Sequence, residues 1–309
     1  MHKRISVGLT ITISIITLMV TALITTAVTM SIYSTLVSDL PEREAMYSSL
    51  SEIDSLIRSE YYGVLEEETV NDAITDGYLS ALTVGTNYMM TADEYKLYKA
   101  AQNGAESSVS SEKYSGVGYI KISDFTDTTA DEFKTAVTSL LNDSVSGLVI
   151  DVRNTNSINI KSAAMIIDRL VPLATEGTKS IATAVDRNNA NTVVFAADTE
   201  SVSVPVSVIV NEKTSGAGEL LACDIRDFGK GTIVGKKTAG NGSYQKVFEL
   251  SDGSAIVLTV AKLLPYKSDC YDGIGVVPDY EIALKQQTDD LSKDTQFMQA
   301  YTSVTALQK

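Results

Sequence analysis

VGYIKISDFTDTTADEFKTAVTSLLNDSVSGLVIDV, residues 117 to 152, decides the fold class. Its first six residues read as a strand. Residues 129 to 142 carry Phe133, Val137 and Leu140 along one helical stripe. Gly147 to Val152 is apolar apart from Asp151, the kind of run a strand buried on both faces shows. Strand, helix and buried strand in that order predict an α/β protein.

The same alternation continues toward the C-terminus. A helix is predicted at 160 to 171, strands at 180 to 185, 192 to 196 and 206 to 210, and a helix at 216 to 228. Strands follow at 232 to 235, 244 to 250 and 254 to 261, the last two joined by the hairpin-type turn Ser251-Asp252-Gly253. The α/β core is expected to span 116 to 285. Residues 286 to 309 read as a polar C-terminal tail with a short helix at 295 to 306.

Upstream, AESSVSSEKYS (105 to 115) is small and polar and reads as a linker. Before it, Leu50, Ile53, Ile57 and Tyr61, then Val70, Ile74, Tyr78 and Leu82, recur at three- and four-residue steps. Thr91-Ala92-Asp93-Glu94 resembles a capping box. These signals predict a small helical subdomain over 41 to 104.

Residues 5 to 33, ISVGLTITISIITLMVTALITTAVTMSIY, carry no charge. A helix of that length rises roughly 40 Å, more than the ~30 Å hydrocarbon layer. It is expected to be a transmembrane anchor, because the apolar run exceeds a signal-peptide core and only Thr25 and Ala27 suggest a cleavage site. Lys3 and Arg4 precede it, and Asp39, Glu42 and Glu44 follow. Residues 1 to 4 should therefore form a cytoplasmic stub, with the body extracytoplasmic.

Composition excludes several functions. The 309 residues are 44% hydrophobic and 21% charged, enough for a large core, and the net charge is -14. Such a surface repels phosphate backbones, so no nucleic-acid partner is expected. The single histidine is His2, which leaves the body without a Ser-His-Asp triad, a Cys-His pair or a His-ligated metal. No metal or other cofactor is expected. Cys223 and Cys270 lack metal or redox spacing and read as two unpaired thiols, with a single bridge between them as the alternative that an oxidising exterior allows.

Five stretches taken together resemble the C-terminal processing (tail-specific) serine peptidase family. They are GVGYIKISDF (116 to 125), GLVIDVRN (147 to 154), PVSVIVNEKTSGAGELLA (205 to 222), VGKKTAGNGSYQKVFELSDGSAIVLTVAKLLP (234 to 265) and GIGVVPD (273 to 279). DGYLSALTVGTNYMMTADEYKLYK (76 to 99) is similar to that family's N-terminal region. The resemblance implies a crotonase/Clp-peptidase-like spiral core and Ser-Lys catalysis, in which a neutral lysine takes the serine proton.

The residues that would carry this chemistry depart from the family pattern. Anchored on Asn211 and Glu219, the nucleophile position holds Gly216. The base position holds Asn241, and the accompanying glutamine is kept as Gln245. Of the oxyanion pair, Ala217 can still offer its amide, but Ser157 and Ile158 stand where the family has a Gly-Gly step whose flexible backbone turns an N–H inward. Family members also commonly carry a peptide-binding PDZ module before the GVGY strand, and only 105 to 115 lie there.

The expectation is a membrane-anchored pseudopeptidase that binds a peptide or a partner protein, such as an active relative; the oligomeric state is left open. One alternative is an active peptidase using Ser215 or Ser243 with Lys236 or Lys237. Against it, Ser215 before a helix reads as an N-cap and the lysines as solvated surface charges. Asp151 and Arg153 read as fixing a strand end. A second alternative is an envelope scaffold without a groove.

Overall fold

The computed structural model describes residues 7–37, 40–104, 106–171, 179–197, 201–286 and 288–306. The chain divides into two compact units, Met1–Ala73 and Ile74–Lys309.

The first unit holds α1 (Val7–Val37), α2 (Leu40–Glu60) and the start of α3 (Glu67–Ser80). Within α1, Ile13–Ser31 has a mean hydropathy of 2.1 and is long and apolar enough to cross a membrane, a property that signal sequences share. The hydroxyls of Thr17, Thr21 and Thr26 donate to carbonyls four residues back, at 2.8 to 2.9 Å. Their polarity is thereby satisfied inside the helix, as an apolar environment requires. The basic flank Lys3 and Arg4, the stub 1 to 4 and Asp39 lie outside the described residues. On α2 Leu50, Ile53 and Ile57, with Tyr61 just past its end, keep the predicted spacing and stand exposed, at 39% to 62% of full accessibility.

The second unit begins with the rest of α3, then β1 (Tyr88–Met90) and α4 (Ala92–Gln102). The predicted capping box starts α4: the Thr91 hydroxyl accepts the Glu94 N–H at 3.3 Å, and the Glu94 carboxylate accepts the Thr91 N–H at 2.8 Å. Next come β2 (Val109–Tyr114), β3 (Val117–Ile122), α5 (Thr129–Asn142), β4 (Leu148–Asp151), the short β5 (Asn156–Ser157) and α6 (Ile160–Leu170). The chain continues through β6 (Lys179–Val185), β7 (Asn191–Ala197), β8 (Val206–Val210), β9 (Ser215–Gly216) and α7 (Ala217–Asp227). It ends with β10 (Gly231–Gly235), β11 (Ser243–Glu249), β12 (Ala255–Leu264), β13 (Tyr280–Glu281) and α8 (Thr295–Ala306).

One sheet runs β13-β10-β8-β4-β3-β2, with every pairing parallel except that of β2 with β3. Its strands alternate between two cores, as the two-residue period demands. Ile120, Ile122, Leu148, Ile150, Val208 and Val210 join the apolar residues of α5, α6 and α7. Val117, Tyr119, Val149 and Ile209 join Phe297, Ala300 and Val304 of α8. Burial on both faces explains why these strands read as continuous apolar runs. A second, antiparallel sheet is organised on β12, which pairs with β11, β1 and β6, while β7 pairs with β6.

Three sequence boundaries are corrected. The segment 41 to 104 is not wholly helical, because Tyr88 to Met90 pairs with Ala255 to Val257 of β12; a three-residue strand is too short to show a period. The linker 105 to 115 contains β2, which covers the free edge of β3. Its polar residues are mostly exposed, as suits an edge strand, so no apolar alternation marks it. The tail 286 to 309 is not simply polar: Phe297, Ala300 and Val304 of α8 are fully buried, each large side chain contributing about 1.5–3 kcal/mol.

At the end of β4, Arg153 donates to Asp151 (2.5 Å) and Asp294 (2.8 Å) and to the side-chain oxygen of Gln296 (2.9 Å). Asp294 in turn accepts the N–H groups of Gln296 and Phe297. The predicted strand-end role of Asp151 and Arg153 therefore extends to holding α8 on the sheet.

On α7, Asp224 is completely buried. It accepts the Tyr266 N–H at 2.9 Å, while its other oxygen has no partner among the described residues. Burial first, and the neighbouring Asp227 charge second, push its carboxyl well above the ordinary carboxylate range. The folded state thus holds this proton more tightly than the unfolded chain. The contribution is intact at acid pH and lost as pH rises through the raised folded value. Asp224→Asn keeps an acceptor for Tyr266 and removes the charge. Thermal melts across pH should show the variant more stable than the native chain near neutrality, with the gap closing toward acid. A gap that is constant with pH would contradict this assignment.

Candidate active site

β9 enters α7 through Gly216, whose backbone has φ 60 and ψ -109. This is a sharp strand-to-helix turn of the kind that lifts a nucleophile out of an α/β sheet. An L side chain there is strained, and glycine adopts the conformation freely. β9 pairs in parallel with β5, Asn156 beside Ser215 and Ser157 beside Gly216. As a result the Ser157 carbonyl oxygen lies 2.3 Å from where a Gly216 Cβ would stand. The space that a side chain at position 216 would take is filled by backbone.

Asn241 lies beside it. Its Nδ2 is 3.8 Å from the same Cβ position, so the structure brings Gly216 and Asn241 together. Glu219, fully buried one turn into α7, ties them. It accepts the N–H groups of Gly216 (3.0 Å), Gly240 (2.6 Å) and Asn241 (2.7 Å) and the Thr238 hydroxyl (2.5 Å). The sequence marks Glu219 only as an acidic residue three positions after Gly216. Its role depends on a loop more than fifteen positions away and leaves no periodic signal.

A cleft of about 520 Å³ opens over this turn, lined among others by Asn156, Ile158, Ser215, Asn241, Ser243 and Gln245. Ser157 points away from it, and its hydroxyl donates to the Phe125 carbonyl at 2.9 Å. Neither that hydroxyl nor the Ser157 carbonyl supplies an oxyanion donor. Ala217 stands at the first position of α7, the end of a helix that favours negative charge. The Gln245 amide donates to the Thr86 carbonyl, and a bulge in the β11–β12 pairing falls at Tyr244 and Gln245. Such irregularities re-aim side chains at sites.

Gly85, Thr86 and Tyr88 form part of the cleft wall, which the sequence reading did not assign. Gly85 has φ +68, and a Cβ there would stand 2.1 Å from the Thr259 Oγ1 and 2.9 Å from the Ser243 Oγ. A glycine with positive φ is what lets this segment lie against β11 and β12.

Among the described residues no hydrogen bond joins Ser215 or Ser243 to Lys236 or Lys237. Lys236 pairs with Glu281 at 2.9 Å on the surface, in keeping with its reading as a solvated charge. Among the described residues lining the cleft there is no lysine, arginine or histidine; the ionisable ones are Tyr88, which burial raises, and Asp272. Ser215 is not the helix N-cap, because Gly216 takes that position and Ser215 is held in β9 by its N–H to the Thr155 carbonyl at 2.8 Å. The turn of the chain comes one residue later than a serine cap would place it. Both cysteines are free thiols. Burial pushes Cys223 up to about 12 and raises Cys270 as well, so neither is poised as a thiolate nucleophile.

A buried turn from strand to helix, a second loop held against it and a glutamine on β11 together make up the candidate site. The chain belongs to peptidase family S41, whose model it matches over residues 116–282. It is 35% identical over 165 residues to the carboxyl-terminal-processing protease of Synechocystis, covering 53% of this chain and 37% of that protein. It is 34% identical over 170 residues to the carboxy-terminal processing protease CtpB of Bacillus subtilis, covering 55% and 34%. Among solved structures it is similar to a photosystem II D1 C-terminal processing protease, with TM-score 0.50 and 26% identity over 69% of this chain and 52% of that one. A lipoprotein from Streptococcus agalactiae shares the fold, with TM-score 0.55 and 14% identity over 72% and 76%. The chain spans about a third of the length of the curated relatives it matches.

Proposed function

We propose that this chain is a membrane-anchored, extracytoplasmic homologue of the C-terminal processing peptidases that binds a peptide or a partner protein, such as an active relative, without cleaving it. The reading assigns the core to the crotonase/Clp-peptidase-like spiral class. The observation that carries it is Gly216: the nucleophile position has no oxygen, and a backbone carbonyl stands where its side chain would be. The amide at Asn241 cannot act as a base near neutral pH. An open cleft beside the vacated turn favours binding over a scaffold without a groove. The long apolar α1 and the basic residues before it support the anchor and its orientation.

A second reading has one observation in its favour. Ser215 lines the cleft and its hydroxyl holds no hydrogen bond among the described residues, but no lysine shares the cleft with it. The full chain in detergent, incubated with an unstructured protein and with tail peptides, is expected to leave both intact. A fluorescent tail peptide should bind saturably. Cleavage that disappears in Ser215→Ala would overturn the proposal in favour of the second reading.

A further inference from the structure

We propose that the Asn241-Gly242 step is a self-modification site, at which the folded chain converts Asn241 to an aspartyl or isoaspartyl residue through a cyclic imide. Three groups around this step match the three requirements of ring closure. The attacking atom is the Gly242 amide nitrogen, whose N–H is held by the Asp272 carboxylate at 3.0 Å. The atom attacked is the Asn241 carboxamide carbon, whose oxygen accepts the Ser243 N–H at 3.3 Å. That bond polarises the carbonyl and stabilises the charge that develops on it. The residue supplying the nitrogen is glycine, and the absence of a Cβ removes the usual obstruction to approach.

The surroundings hold these atoms in place. The Asn241 N–H is fixed by Glu219 at 2.7 Å. A Cβ on Gly242 would stand 2.8 Å from the Asp272 nitrogen and the Cys270 sulfur, so the step is packed tightly against the segment that carries the carboxylate. Ring closure is intramolecular in any state of the chain, so what the fold adds is a fixed orientation and a positioned base. On the other side Asn241 lines the open cleft, through which water enters and ammonia leaves.

The atoms balance without an oxidant or reductant. The Gly242 nitrogen forms a bond to Asn241 Cγ while its proton passes to Asp272. The Cγ–Nδ2 bond breaks, and the nitrogen leaves with its electron pair, taking that proton as ammonia. Water then opens the imide at either carbonyl, giving the α- or β-linked residue with a free carboxylate. The product adds one negative charge to the cleft at the position where the family keeps its lysine. The reaction does not rest on whether the chain cleaves peptides, and its readout is independent of that activity.

The test incubates the freshly purified full chain in detergent, in buffer alone, beside the same chain held in denaturant. The peptide spanning residues 241 and 242 is followed by mass spectrometry, and isoaspartate by enzymatic methylation. The folded chain should lose ammonia from Asn241 faster than the denatured chain. Asp272→Asn keeps an acceptor for the Gly242 N–H but no base, and should slow the folded reaction by roughly tenfold or more, at the cautious end of what a general base supplies. A folded rate equal to or below the denatured rate overturns the proposal. So does an unchanged rate in a folded Asp272→Asn chain. Should that variant fail to fold, the comparison of the folded and denatured native chain decides alone.

Discussion

Installing the pair that the resemblance assigns to these positions, Gly216→Ser together with Asn241→Lys, is expected to leave tail-peptide hydrolysis near background. A serine Cβ at position 216 would meet the Ser157 carbonyl at 2.3 Å, a separation that real Cβ contacts essentially never show, so β5 must move before the new hydroxyl fits. The backbone at φ 60 and ψ -109 adds strain on the order of 1–3 kcal/mol for any residue with a side chain. The loop that must move is also the one meant to complete the oxyanion hole, and losing one such donor costs ~10²–10³ in rate. The new lysine must also be neutral to act as a base. Position 241 sits between the Glu219 and Asp272 carboxylates, which accept the N–H groups of Asn241 and Gly242 and favour the charged ammonium. Adding Ser157→Gly and Ile158→Gly should raise kcat/KM above that of the double variant, because glycines let the carbonyl swing away and an N–H turn inward. Vigorous hydrolysis by the double variant alone would show that β5 yields freely and that the blocking role given to Ser157 is wrong.

The part of this architecture legible in the sequence is the part where burial writes a pattern. β3, α5, β4, β8 and α7 fall within a residue or two of their predicted positions, because both faces of the parallel sheet are covered and most strand residues are apolar. The β11–β12 hairpin was legible from Ser251-Asp252-Gly253, whose glycine takes φ 86. β1 and β2 were not legible. One is three residues long and the other is a polar edge, so each is specified by a partner strand distant in sequence. α8 was read as a helix, but its docking was missed, since a few apolar residues in a polar segment do not reveal an uncovered sheet face.

At the site, the resemblance placed Gly216, Asn241 and Gln245, and the structure brings the first two side by side with Gln245 on the same cleft wall. What could not be read was the direction of Ser157. A two-residue strand pairing with β9 turns its hydroxyl to Phe125 and its carbonyl to Gly216. Such a choice is made by register, which the local sequence of so short a strand does not encode.

Glu219→Ala is expected to be the most destabilising single substitution around the cleft. The side chain is fully buried and accepts four donors, three backbone N–H groups and one hydroxyl. Removing it leaves those donors without their acceptor, at about 1–3 kcal/mol for each that finds no new partner. Even partial recovery leaves a loss on the order of 4 kcal/mol, a large fraction of the 5–15 kcal/mol that holds a typical domain. Glu219→Gln should rescue little. Both oxygens are in use, Oε1 by Thr238 and Gly240 and Oε2 by Gly216 and Asn241, so an amide places its NH2 against two donors whichever way it turns. Equilibrium unfolding in urea measures the loss. Binding of a fluorescent tail peptide, measured where the variant is still folded, reports whether the loop carrying Asn241 remains against α7. A loss below ~1 kcal/mol, the size of one ordinary hydrogen bond, with peptide binding intact, would remove Glu219 from its place as the tie between the two halves of the site.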